Sequence, residues 1–313
     1  SSESHTGTTG STSQTSFTWQ HSPSGTPQGV VVFVYTWANA DYVSTVTYGG
    51  VTMTEISQGE ASDTATEPGR VTTFFLGSSV PSGNQNVVVN RTNNSTTMYA
   101  TAATVTASYD TEVYTSGIVL LEENGTYSVR SVNDGSPGSS SLRFAAGYSG
   151  RNAALSAGTG STAIQSIVVG STTSANLARE NTAGQGSRNV GFSYNTSDDR
   201  AGVHLAIREK IPLTISGKIY GTDETTAYNC SSGGPYTVYV RVDGAGTYST
   251  TCTLSSGAWS ASISATSGQT IYAYIYGETI KGNTVLISNG TSKNDVNIMV
   301  DRVTIRDDAD SII

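Results

Sequence analysis

The chain has 313 residues and a formal net charge of −8. Nearly three residues in ten are Ser or Thr, 34 are Gly, and only 13% are charged. Such a balance excludes a nucleic-acid partner, because no basic patch is there to neutralise phosphates. It equally disfavours anionic membrane surfaces, and no apolar stretch is long enough for a spanning helix.

The pattern that remains is that of an all-β protein. Residues 1–16 hold no apolar residue and read as a polar N-terminal tail, with SSESHTGTTGSTS resembling a mature start after signal-peptide removal. Strand candidates begin at Phe17. Val30–Tyr35 is apolar on both faces, as a central sandwich strand requires. Val43–Tyr48 runs into Gly49-Gly50 and then Val51, a hairpin signal. Further candidates are 71–76, 86–89, 98–107, 117–121, 142–148, 164–169, 189–194 and 203–207, separated by Gly, Asn, Pro and Ser clusters. Residues 174–180 gather Ala, Leu and Arg, which suits a short helix.

Ile211-Pro212, after the charged run Arg208-Glu209-Lys210, marks a boundary. Beyond it lie strand candidates at 213–220, 236–242, 248–254, 259–265, 271–276, 284–287 and 296–305. The expected architecture is therefore two consecutive antiparallel β-sandwiches. The first, 17–210, is large and jelly-roll-like. The second, 211–306, is small and immunoglobulin-like or transthyretin-like, with 307–313 as a C-terminal tail.

Two stretches resemble known modules. FTWQHSPSGTPQGVVVFVYT, VSTVTYGGVTMTEI and GRVTTFFLGSSVPSGNQNVVV, in that order, resemble an uncharacterised β-sandwich module of phage structural and bacterial surface proteins. The Val46–Val51 hairpin is the most specific part. ISGKIYGTDETT, YTVYVRVDG, GAWSASI and IYAYIYGE resemble carboxypeptidase-regulatory-like, transthyretin-like modules. Both resemblances imply extracellular scaffolding or adhesion, and neither implies catalysis.

Residues suited to chemistry are sparse. Of three histidines, His5 lies in the tail, His21 near the first strand, and His204 alternates with Val203 and Leu205 so as to face outward. The adjacent pairs Glu122-Glu123, Asp198-Asp199 and Asp307-Asp308 point to opposite faces if extended and read as solvated turns. Asp307, Asp308 and Asp310 lack the spacing of a calcium loop. No catalytic set, cofactor or metal is expected. Trp19, Trp37 and Trp259 sit in apolar runs and read as core or edge anchors, and the seven Asn-x-Ser/Thr sequons are what chance supplies at this composition. Lys218 and Asn297, on the first and last strands of the second domain, have the placement of an isopeptide pair, although a free surface Lys is the plainer reading.

Cys230 and Cys252 would most simply pair in an exported protein; the alternative is two buried thiols. Tyr272, Tyr274 and Tyr276 share one face of a strand. They suit an ordinary half-exposed strand, a subunit contact or a sugar platform. Ile312 and Ile313, after an acidic stretch, could complete a neighbour's sheet. The function expected is an extracellular structural protein, a filament or surface-layer subunit whose partners are other copies of itself. A terminal segment would add a strand to the next copy or wrap it. The alternative is a glycan-binding adhesive module.

Overall fold

The computed structural model describes residues 3–10, 14–38, 40–63, 69–94, 96–135, 141–150, 156–169, 173–231, 235–244, 246–265, 268–275 and 279–306. Among them the protein is almost entirely β-strand, with one three-residue 3-10 turn at Thr115–Gly117 and no helix long and apolar enough to cross a membrane. The chain divides into two compact units, Ser1–Lys210 and Ile211–Ile313.

The first unit contains β1 (Glu3–Gly10), β2 (Ser16–His21), β3 (Gly29–Thr36), β4 (Val43–Tyr48), β5 (Val51–Thr52), β6 (Thr54–Asp63), β7 (Gly69–Leu76) and β8 (Gln85–Arg91). It continues with β9 (Met98–Val105), β10 (Thr111–Val113), β11 (Val119–Val132), β12 (Ser141–Ser149), β13 (Ser156–Ala157), β14 (Ser161–Val169), β15 (Thr173–Glu180) and β16 (Arg188–Glu209). These strands build three sheets. The middle one runs β1-β9-β3-β7-β6, one flank β2-β8-β4-β5, and the other β10-β16-β12-β15-β14, with β11 and β13 also paired to β16.

Burial on both faces of β3 follows from this stacking. Val31, Phe33 and Tyr35 share a core with Phe144, Leu177, Val203 and Leu205. Val30, Val32 and Val34 share another with Phe17, Val46, Tyr48, Val87 and Val89. Each such side chain contributes about 1.5–3 kcal/mol on leaving water, so the continuous apolar run is what a middle layer needs. A third sheet is thus added to the sandwich expected from the sequence. The hairpin from β4 to β5 turns at Gly49 and Gly50, both at positive φ (56° and 82°), a conformation that costs glycine least.

Three expectations change here. Residues 1–16 are not a tail throughout. Glu3–Gly10 forms β1, antiparallel to β9 from Glu3↔Val105 to Gly10↔Met98. A backbone ladder needs no apolar side chain, which is why composition concealed it. Residues 174–180 form β15 and not a helix. They lie between β12 and β14, almost fully buried, so sheet pairing overrides the helical preference of Ala, Leu and Arg. The candidates at 189–194 and 203–207 are one strand, the 22-residue β16, paired with β11 over 188–193 and 198–204. Val190 and Phe192 of its first half join Val132 on the face of Ala145, Ala178 and Ala206. That layer also buries His204, which the alternation had placed in solvent.

The second unit contains β17 (Leu213–Tyr220), β18 (Tyr236–Val242), β19 (Gly246–Cys252), β20 (Ala258–Ile263), β21 (Thr270–Ile275), β22 (Asn283–Ile287), β23 (Ile298–Met299) and β24 (Val303–Arg306). They form a three-stranded sheet, β20-β17-β23, and a five-stranded sheet, β19-β18-β21-β22-β24. Ile215, Ile219, Trp259 and Ile298 from one meet Val238, Val240, Ile271, Ala273 and Leu286 from the other. Cys230 and Cys252 are disulfide-bonded inside this core. The bond fastens the chain ahead of β18 to the end of β19.

Candidate functional site

The most distinctive surface is the outer face of the five-stranded sheet. Strict alternation sends Ile271, Ala273 and Ile275 into the core and leaves Thr270, Tyr272 and Tyr274 on the other side. Pairing then aligns two rows across the strands. One reads Ser249, Tyr239, Tyr274, Asn283, Val303; the other reads Thr247, Arg241, Tyr272, Val285, Ile305. Tyr239, Tyr274 and Tyr272 stack in sequence, with ring centroids 5.7 and 4.8 Å apart and planes inclined by 24° and 25°. Val303 and Ile305 are 68% and 81% exposed. Arg241 is the one charge among the described outward side chains of these rows. At the end of the sheet, β24 pairs only with β22 among the described residues, which leaves its second edge without a described partner strand.

The ring geometry bears on what this face can bind. Nearly parallel rings at 4.8 Å overlap; they do not lie side by side in one plane. Both faces of Tyr274 and the inner faces of Tyr239 and Tyr272 are taken up by this stacking, so a sugar meets less ring face than a flat platform would offer. Apolar contact by another protein surface suits the stack and its aliphatic border better.

The structure thus brings together calls that the sequence left separate. Tyr272 and Tyr274 share a face with the last described strand. Tyr276, Ile312, Ile313 and the Asp307, Asp308, Asp310 group lie outside the described residues. Tyr239, Val285, Val303 and Ile305 were missed as site residues. Alternation along β18 signals Tyr239, but strand pairing alone reveals that the four converge.

Ionisable groups cluster elsewhere, in the first unit. Arg143 is fully buried and reaches Asp134 at 3.3 Å and Glu180 at 3.0 Å. It donates further hydrogen bonds to the carbonyls of Val132, Gly184 and Gly186. Asp134 accepts from the Ser141 hydroxyl and the Gly186 amide, and Arg188 pairs with Glu180 at 3.0 Å. Burial pushes the Glu180 carboxyl above its ordinary value, and Arg143 and Arg188 pull it back. Asp134, Arg143 and Glu180 are buried and bonded to one another through Arg143 and to the flanking backbone, so the cluster fastens two loops to β12 and β15.

His21 is buried, its Nε2 lies 3.1 Å from Thr104 Oγ1, and its ring meets Tyr48 edge-on at 6.0 Å. The Lys218 side chain is exposed, and Asn297 Oδ1 accepts a hydrogen bond from the Lys218 backbone amide. Trp259 is buried and Trp19 half-buried against Phe17, whereas Trp37, just past β3, is exposed and anchors no core. No group of three or more His, Cys, Asp or Glu suited to a metal occurs among the described residues. A shallow depression of about 420 Å³ lies beside the β4–β5 hairpin. Gln20, Thr47, Asn84, Gln85, Asn86 and Val88 line it with the two turn glycines, and none of these is charged.

No protein-family model, curated protein or solved structure matches the chain.

Proposed function

We propose that the protein is a non-catalytic, extracellular structural subunit that assembles with copies of itself by β-sheet addition. The observation that carries this reading is the edge strand β24, whose second side has no described partner strand and whose exposed Val303 and Ile305 continue the Tyr239–Tyr274–Tyr272 stack. A single protein rarely leaves an apolar edge strand unprotected, because unpaired N–H and C=O groups beside apolar side chains template pairing with another chain. Disulfide bonding of Cys230 and Cys252 supports an oxidising compartment outside the cytosol. The partner favoured is a second copy. The chain is acidic overall, and the lone charge among the described outward side chains of these rows is the cation of Arg241.

The test uses the purified chain over a range of concentrations, with light scattering and negative-stain electron microscopy. Wild type should associate as concentration rises. Val303→Lys combined with Ile305→Lys should suppress association while circular dichroism stays unchanged, since both side chains stand in solvent. A wild type that stays monomeric throughout, or a double variant that assembles equally well, would sink the reading.

A second reading rests on the uncharged depression beside the β4–β5 hairpin. Amides and a hydroxyl on a shallow surface match the hydroxyls of a neutral glycan. A glycan array would decide, with Gln20→Ala and Asn86→Ala as the controls that abolish any signal.

A further inference from the structure

Strand β1 is attached in an unusual way. Its sequence, Glu-Ser-His-Thr-Gly-Thr-Thr-Gly, contains no apolar residue, yet all eight residues pair one to one with β9. Attachment therefore rests on the main-chain ladder, the part of strand addition that supplies affinity regardless of side chain. On its partner, by contrast, every residue from Met98 to Val105 is buried. Without β1 that strand would keep its pairing with β3 but present one unpaired edge, the backbone groups of every second residue, at the margin of the middle sheet. The slot beside β9 thus demands an occupant.

Register in the slot is set by a close fit. A Cβ placed on Gly7 would stand 2.1 Å from the Tyr99 hydroxyl oxygen and 2.9 Å from the Ala100 carbonyl oxygen. Only a residue without a side chain fits there. The next strand, β2, belongs to a different sheet, and residues 11–15 between them read Ser-Thr-Ser-Gln-Thr, with neither Pro nor an apolar residue.

We infer that β1 is an exchangeable strand: in the assembled protein it pairs in the same register with β9 of a second copy. A second copy's β1 offers the same backbone, the same Gly7 and the same contacts, so exchange loses no native interaction and is driven by protein concentration. Because the donor strand and the β9 slot are different surfaces, one-way exchange from copy to copy is a heterologous contact, which extends into a filament where the rotation between copies does not close a ring. The inference rests on the self-assembly reading and adds to the β24 edge a second contact between copies, β1 on β9.

Cross-linking tests it. Thr6 and Ala102 are cross-strand partners. Two full-length single variants, Thr6→Cys and Ala102→Cys, are mixed under assembling conditions, oxidised and run on a non-reducing gel, where a disulfide between engineered positions forms only between copies. Disulfide-linked dimers are expected from the mixture, and covalent ladders from the Thr6→Cys/Ala102→Cys double variant. Filaments in the microscope with only cis-linked monomers on the gel would overturn the exchange and leave self-assembly standing. Monomers by both methods would overturn both. Gly7→Val, which blocks the fit to Tyr99, should abolish assembly; filaments from it at wild-type yield would also overturn the exchange.

Discussion

At the scale of single residues, hydroxyls are not confined to turns and outward faces. Thr36, Thr72 and Thr73 are buried with hydroxyl oxygens that have no partner among the described residues, and the Tyr48 hydroxyl shares that condition. An unsatisfied buried hydroxyl costs about 1–3 kcal/mol, so the Ser/Thr-rich composition leaves stability unrealised in the core. Burial also pushes the Tyr48 phenol up to about 12 from its ordinary 10. Its ionisation is thereby opposed in the folded state and unopposed in the unfolded chain. The unfolded chain loses the proton first, so this contribution is fully present below pH 10 and is lost as pH rises through about 12. Urea melts of wild type and Tyr48→Phe should agree closely at pH 8, or favour the variant. The variant's advantage should then widen toward pH 12, and a gap that does not change with pH would contradict the assignment.

A second residue-scale consequence concerns Arg143. Removing one member of a buried, saturated ion cluster leaves an uncompensated charge, a loss of about 3–5 kcal/mol. Glu180→Ala should destabilise the first unit by that amount in equilibrium denaturation. Replacing Glu180 with Leu and Arg143 with Met together should not recover it, because the buried Asp134 then loses its cation and the Val132, Gly184 and Gly186 carbonyls lose their donor. A loss below about 1 kcal/mol for the single variant would mean that water reaches the cluster.

At the scale of elements, legibility followed how local each cause is. The hairpin at Gly49-Gly50, the twofold alternation of β18 and β21, and the all-apolar β3 are written in adjacent residues, and their strands fall where the pattern puts them. What stayed hidden has long-range causes. Pairing with β9 makes a strand of a polar segment, and flanking neighbours turn 174–180 from helix to strand. The candidate at 296–305 separates into β23 and β24 around Asp301, whose positive φ of 61° breaks the run. The same limit applies to the candidate surface. Tyr272 and Tyr274 could be assigned to one face from their spacing. Their company with Tyr239 and Ile305 depends on which strand lies beside which, and the parallel pairing of β22 with β24 leaves no local mark. The Arg143 cluster draws on four separate stretches of chain, so no motif announces it.

At the scale of the whole molecule, two compact units with separate cores need not unfold in one step. They also differ in how they are stabilised. The Arg143 ion cluster lies in the first unit and the Cys230–Cys252 bond in the second. That bond closes a loop with a sequence separation of 22, which in the chain-entropy model constrains the unfolded state by about 3 kcal/mol. Calorimetry of the oxidised protein should therefore resolve two transitions. Reduction, or Cys230→Ser with Cys252→Ser, should lower one and leave the other in place. Glu180→Ala should move the other transition alone. A single transition that shifts as a whole under both changes would mean that the units fold as one cooperative body, and stability measured at either site would then belong to the entire chain.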